Sequence, residues 1–491
     1  MAGLLVAGTT SDAGKSTVTA GLCRAFARRG VRVAPFKAQN MSNNSMVVRA
    51  PGGTFAEIGR AQWIQAGAAR AVPEPAMNPV LLKPGSDIGS HAVVMGQPAG
   101  TVSAATWRED RAPWAAIAYD AFDDLAQRYD VVVAEGAGSP TEINLRDSDY
   151  VNMGLAQHAS LPTVVVGDID RGGVFAALFG TLALLRAADQ ALITGFVINK
   201  FRGDLRLLTP GLDSLQQLTG RRVYGVLPWH PQVWLDSEDT LAVPAHVGDS
   251  TTAIRRVAVI RLPRISNFTD VDALRLEPAL DVQFVSTPAD LAGADLIVIP
   301  GSRATVADLD WLRQRGLDHA VVAHARSGGA VLGICGGFQM LGEQISDPAE
   351  VESDRPTVRG LGLLDARTVF STGKTLGLPV GTVWGVPVEG YEIHHGRVDI
   401  GGADPFPGGV RQGRVFGTMW HGVFDSDAFR AAFLEQVLGA PPSGVSFAEA
   451  RESRLDLLAD LIEQHLPAGH LLELARRGAP DDLRSVPPGG A

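Results

Sequence analysis

Cysteine is nearly absent from this chain of 491 residues: Cys23 and Cys335 are the only two. So low a number excludes a disulfide framework and a cysteine-rich metal centre, and it fits a reducing compartment. Long apolar runs are missing as well. The opening "MAGLLVAG" is far too short for a signal peptide or a membrane span, and no later stretch reaches roughly 18 uninterrupted apolar residues. Positive charge is concentrated nowhere. With 43 Lys and Arg against 53 Asp and Glu, the formal charge is -10, and no basic run of the kind that binds nucleic acid occurs. These absences predict a cytoplasmic protein that works without membrane or nucleic acid.

What remains is ordinary globular composition, 45% hydrophobic, with turns well supplied by 56 Gly and 30 Pro. The length allows two to four domains. Short apolar runs, each followed by a helix-like stretch, recur in two series. The first comprises "GLLVAG" (3–8), "VVVAEG" (131–136), "PTVVVGDID" (162–170), "GFVINK" (195–200) and "VYGVLP" (223–228). The second comprises "RVAVIRL" (256–262), "VQFVS" (282–286), "DLIVIPG" (295–301) and "GAVLGICGG" (329–337). Continuous apolar strands alternating with helices predict parallel sheets covered on both faces, hence an α/β chain with two doubly wound domains. The acidic, Pro-containing stretch 236–252 divides the series into a first domain, 1–235, and a second, 253–445. The second becomes β-rich up to about residue 425. A helical segment over 446–464 and a frayed "VPPGGA" end are expected to close the chain.

"GTTSDAGKST" (8–17) almost fits the phosphate-loop pattern G-x-x-x-x-G-K-[ST]. Gly14, Lys15 and Ser16 match, with Thr17 following. Thr9 stands where the first glycine belongs, and Gly8 comes one residue early. A strand, a glycine loop and a helix N-terminus would turn backbone N–H groups toward a nucleotide triphosphate such as ATP. Lys15 would reach the outer phosphates and Ser16 would ligate Mg²⁺. Glu135, ending a buried strand, is the expected second Mg²⁺ carboxylate. Asn199 ends another strand and suits an adenine edge.

The second series contains a different chemistry. "VLGICGGFQMLG" (331–342) reads as a strand, a sharp turn and a helix, the cysteine form of a nucleophile elbow. Glycines at 333, 336 and 337 permit the strained turn and expose Cys335 above a helix N-terminus, which lowers a thiol pKa. Its base must come from 11 histidines. His421 in "GTMWHGVF" and His394 and His395 in "GYEIHHG" are the candidates.

Two resemblances sharpen these readings. The G-T-x-S-x-x-G-K-[ST] loop resembles that of dethiobiotin-synthetase-like P-loop proteins, which implies that Lys37 in "VRVAPFKAQN" also faces the phosphates. "GICGGFQMLG", "IPGSRAT" and the late "HG.F" resemble class I glutamine amidotransferases. The two together resemble the cobyrinic and cobyric acid amide synthases. The cobyric side of that family is the closer match, through "RRGVRVAPFKAQNMSNNS", "EGAGSPTEINLRDSDYVNMG", "INKFRGDL", "LPRISNFTD" and "GYEIHHGR" among others.

The resemblance implies an ATP-dependent, glutamine-hydrolysing amide ligase. Cys335 would be its nucleophile and His421 its base, with Gly301 and Gly336 N–H groups as oxyanion donors. The implied substrate is a corrinoid, adenosylcobyrinic acid a,c-diamide, amidated at its b, d, e and g carboxylates. "QNMSNNS" (39–45) and "EINLRDSDYVN" (142–152) are suited to line its site. Val423 stands where a triad Glu is usual, so a Cys–His dyad is implied, with Asp425 nearby at a different spacing. The rival readings are a cobyrinic acid a,c-diamide synthase and, from another class, a P-loop switch or partitioning ATPase. The second leaves the Cys335 elbow unexplained.

Overall fold

The computed structural model describes residues 2–85, 89–103, 111–231 and 254–488. The connection expected over 236–252 lies outside them. In the first half, β1 (Gly3–Gly8), β2 (Val33–Phe36), β3 (Val131–Glu135), β4 (Thr163–Asp168), β5 (Ile193–Phe201) and β6 (Arg222–Pro228) form one six-stranded sheet. Its order is β6-β5-β4-β1-β3-β2, with every pairing parallel. Strands β1, β3 and β4 are buried at every residue, which is why they read as unbroken apolar runs. Helix α1 (Lys15–Arg28) starts at the C-terminal end of central β1, where ligands of open α/β sheets bind.

Between β2 and β3 the chain inserts a second, four-stranded sheet and the hairpin Ser45–Arg49 with Phe55–Gly59. This insertion faces the second half. There β7 (Arg255–Ile260), β8 (Leu280–Val285), β9 (Leu296–Ile299) and β10 (Ala330–Ile334) precede α2 (Gly336–Leu341). Strands β11 (Asp404–Phe406), β12 (Gly409–Gln412) and β13 (Val415–Thr418) complete a seven-stranded sheet, order β8-β7-β9-β10-β13-β12-β11. It is parallel through β13, and its last two strands run antiparallel. The long pair Ala366–Gly377 and Glu392–Ile400 supplies the expected β-rich region.

The end of the chain departs from the sequence reading. Helix α3 (Phe447–His465) forms as expected, capped by Ser446, and α4 (Ala468–Arg477) follows. Both return to the first half. Phe447 is buried in the core of the second half, whereas Leu455, Leu458 and Ile462 are buried against α1. Each such apolar side chain contributes about 1.5–3 kcal/mol. Arg24 and Arg28 of α1 add ion pairs to Asp456 (2.8 Å) and Asp460 (2.6 Å). Of the expected tail 486–491, residues 489–491 lie outside the described residues, and Val486 is held: its N donates to Gln190 Oε1 at 2.7 Å, and Gln190 Nε2 returns a bond to Val486 O at 3.0 Å. A glutamine 296 residues away thus anchors the first residue of the stretch that composition marked as a tail.

Candidate active site

The loop after β1 encloses a cation. Lys15 Nζ donates to Thr10 O (2.9 Å) and Gly138 O (3.1 Å), and the side chain is almost wholly buried. A Cβ on Gly8 would stand 2.9 Å from Lys15 Cγ, so the early glycine makes room for the lysine stem. Thr9, in the position of the missing glycine, donates its N–H to Val166 O at 2.9 Å and ties the loop to β4. Gly14 has φ +99°, and a Cβ there would lie 1.9 Å from Asn199 Nδ2. Only glycine fits both demands. On the far side, Lys200 Nζ binds Asp168 Oδ2 (2.9 Å) and Asp12 O (2.8 Å), residues that motif reading passed over.

Glu135 collects the polar groups beneath this loop. Ser16 Oγ and Lys37 Nζ each donate to its Oε1 at 2.9 Å, and Gln65 Nε2 donates to Oε2 at 2.6 Å. Burial opposes the carboxylate's charge, but Lys37, Gln65 and Lys15 outweigh it and hold the pKa below the ordinary value. Lys37, expected to face phosphates, is thus engaged with the carboxylate one layer below, although it still lines the same cavity as Lys15. Asn199 gives its Nδ2 to Ala13 O at 3.1 Å. With Thr17 it borders a separate cavity of about 250 Å³, which Leu458, Leu461 and Ile462 of α3 wall on one side.

In the second half, Cys335 sits between β10 and α2 at φ 50°, ψ −109°, a conformation rare for a side-chain-bearing residue. A Cβ on Gly337 would stand 1.9 Å from Ile299 O, which explains the glycine after the turn. The Cys335 side chain lies close enough to His421 to act on the charge of its ring. Its Nδ1 lies 2.7 Å from Asp270 Oδ2, and Gly422 N donates to Asp270 Oδ1 at 2.9 Å. Burial works against a charged imidazole, but Asp270 and Cys335 prevail and raise the His421 pKa to about 10. The ring therefore holds its proton beside the Cys335 sulfur at neutral pH.

Asp270 corrects the dyad reading. The carboxylate that holds Nδ1 of the imidazole is that of Asp270, not that of Asp425. Asp270 lies 151 residues from His421, so spacing offered no clue, although the quoted "LPRISNFTD" contains it. His394 and His395 line the cavity beside Cys335, but their Nδ1 atoms meet Gly396 O (2.8 Å) and Ser371 O (3.2 Å). Gly301 and Gly336 both stand close: a Cβ on the first would come 3.1 Å from His421 Cε1, one on the second 2.9 Å from Ser302 N. Cys23 is fully buried, and burial near Glu135 pushes its thiol pKa up, so it is inert.

A cavity of about 620 Å³ opens at the phosphate-loop centre. Lys15 and Lys37 line it, as do residues 39–43 of the stretch 39–45 and part of 142–152, the two stretches singled out for a large polar substrate. Arg264 reaches it from the second half. Among the described residues no group of three or more His, Cys, Asp or Glu gathers as a metal centre, and no helix is long and apolar enough to cross a membrane.

Known proteins match both halves. The CobQ/CobB/MinD/ParA nucleotide binding domain family matches residues 4–242, and the CobB/CobQ-like glutamine amidotransferase domain family matches 256–429. A cobyric acid synthase of Mycolicibacterium gilvum is 66% identical over 490 residues, 100% of each chain. Those of Mycolicibacterium vanbaalenii (65%) and Mycobacterium marinum (66%) match over the same full length. The chain belongs to the cobyric acid synthase family. As a cobyric acid synthase family member it is an amide-forming ligase of cobalamin biosynthesis that binds nucleotide and takes nitrogen from glutamine. In this cobyric acid synthase fold, local motifs point to Cys335 and Lys15 as candidates. Asp270 and the partners of Glu135 emerge only from tertiary contact.

Proposed function

We propose that the chain couples glutamine hydrolysis to ATP-dependent amidation of the b, d, e and g carboxylates of adenosylcobyrinic acid a,c-diamide. The observation that carries this reading is the presence, in one chain, of Cys335 against His421 and of Lys15 on a cavity walled by both halves. The Cys335 thiolate attacks the carboxamide carbon of glutamine, and Gly301 and Gly336 N–H groups receive the oxyanion. His421 gives its proton to the leaving nitrogen, which departs as ammonia and leaves a glutamyl thioester. The imidazole then takes a proton from water, which displaces sulfur and frees glutamate. Asp270 fixes the ring orientation throughout.

At the other centre, Lys15 and the loop N–H groups neutralise the charge that shifts as the γ-phosphoryl group passes to a substrate carboxylate. Ammonia attacks the acyl phosphate, and phosphate leaves. Ser16 and Glu135 meet as hard oxygen donors at 2.9 Å, which suits Mg²⁺, an ion that binds few protein ligands beside nucleotide phosphates. When bound, Mg²⁺ would supply further positive charge there. Asn199 Oδ1 is the atom left to receive the adenine amino group, because Asn199 Nδ2 is already given to Ala13. Arg111 and Arg264 on the large cavity are suited to corrinoid carboxylates.

Incubation of the a,c-diamide with ATP, Mg²⁺ and glutamine tests the whole reading by mass spectrometry. Four successive products are expected, each lighter by about one mass unit as OH becomes NH₂. A series that stops at two sites, or none, overturns it.

Asp270→Asn probes the glutaminase alone. It is expected to lower glutamine-supported turnover about 10²-fold by disturbing the imidazole orientation. The Asp270 carboxylate helps keep His421 protonated up to about pH 10. Its loss lets the ring give up its proton at lower pH, so the alkaline limb of the glutaminase profile moves down. An unmoved limb counts against Asp270 as the partner.

A further inference from the structure

His421 is approached from two sides by segments seated on one hairpin of the other half. Asn44, just before that hairpin, accepts the N–H of Phe268 on its Oδ1 at 3.3 Å. Asn267 reciprocates, accepting the N–H of Ser45 on its Oδ1 at 2.9 Å. All four residues are buried. Asn267 has φ 48° and opens the short turn Phe268–Val271, and that turn carries Asp270, the partner of His421 Nδ1. On the other flank, Met46 and Val47 of the hairpin are packed with Tyr391 and Ile393. Tyr391 stacks on the imidazole with ring centroids 5.2 Å apart and exchanges backbone hydrogen bonds with His421 in both directions.

The hairpin is also tied into the second half by charge. Glu57 accepts from Lys83 (2.5 Å) and Ser45 Oγ (2.7 Å), and Lys374 of the second half binds its other oxygen. Immediately before Asn44, residues 39–43 line the 620 Å³ cavity that also contains Lys15. A ligand seated there touches the stretch that leads directly into the Asn44–Asn267 exchange. None of these bonds is needed for thioester chemistry as such. They do determine where the Asp270 turn lies, and a shift of about 1 Å in a positioning group costs up to about 10²-fold in rate.

We propose that Asn44 and Asn267 are positioning residues through which occupancy of the ligase cavity sets the Asp270–His421 geometry, and with it the rate of glutamine hydrolysis. The proposal rests on the reading that Cys335 and His421 hydrolyse glutamine. It makes the glutaminase conditional: the base is in register when the ligase half holds the 267–271 turn, so glutamine is spared until an acceptor carboxylate is present. Coupling of this kind is typically about 5–150-fold.

The test compares full-length wild type with Asn267→Gly, which keeps the left-handed backbone and removes the acceptor, and with Asn267→Asp, which keeps an acceptor. Asn44→Ala removes the opposite bond and serves if the glycine variant does not fold. Glutamine hydrolysis is measured with and without the a,c-diamide and ATP, and amidation is measured from glutamine and from ammonium. In wild type, substrate and ATP are expected to stimulate hydrolysis at least about fivefold. Asn267→Gly and Asn44→Ala should each lose that stimulation and about tenfold in glutamine-supported kcat, with the glutamine KM changed less than about threefold. Ammonium-supported turnover of Asn267→Gly should stay within about twofold, and Asn267→Asp should recover most of the loss.

Equal losses from both nitrogen sources would reduce the pair to a structural contact and overturn the proposal, as would wild-type hydrolysis indifferent to substrate. Glutamine use that survives Cys335→Ala would instead remove the underlying nucleophile reading.

Discussion

Cys335→Ala is expected to abolish amidation from glutamine, by on the order of 10⁴-fold, while amidation from ammonium survives. In the proposed mechanism the thiol forms the covalent bond to the glutamyl carbon. Asp270 and His421 remain in register in the variant but have no nucleophile to activate. The second cysteine offers no substitute. Cys23 is fully buried on α1, with its thiol pKa raised by desolvation and by Glu135. The ligase centre draws none of its parts from the elbow, so added ammonium reaches the acyl phosphate as before. Parallel assays with glutamine and with ammonium chloride, read as amide product, decide the matter. Persistent glutamine use would end the assignment of Cys335.

Lys15→Ala should stop amidation from both nitrogen sources, by roughly 10³-fold, the scale of losing one well-placed cation or donor at a transition state. The side chain threads past Gly8 and is held between Thr10 O and Gly138 O, so its charge is set at the loop mouth rather than left to solvent. Lys37 does not replace it, because its ammonium is engaged with Glu135 in a layer below. Basal glutamine hydrolysis at Cys335 should continue in this variant, which separates a defect in phosphoryl transfer from general unfolding. Unchanged ammonium-supported turnover would dismiss the phosphate-loop role of Lys15.

The opposite signatures of these variants follow from how the two centres are built. Each has a short local motif at its heart, a glycine loop before α1 and a glycine turn before α2. Such motifs are legible in a sequence because the steric demand is local: Gly14 and Gly337 stand where a Cβ would collide. The strands were legible for a related reason. Strands β1, β3 and β4 are covered on both faces, so no polar residue interrupts them. Polar residues with distant partners were not. Asp425 was the nearest carboxylate along the chain, yet the fold brings Asp270 to His421 from 151 positions away. The C-terminal helix was legible too, but its packing along α1 through Leu458 and Ile462 was not.

The sequence by itself determined the two α/β halves and marked Lys15, Cys335 and His421 as candidates, because backbone sterics and continuous burial act over a few neighbouring residues. Only the tertiary structure decided which carboxylate orients His421, that Lys37 and Gln65 share Glu135, and that the hairpin after Asn44 meets the Asp270 turn. Those pairings join residues far apart in the chain. Their partners are selected by how the elements pack, a relation that no local spacing encodes.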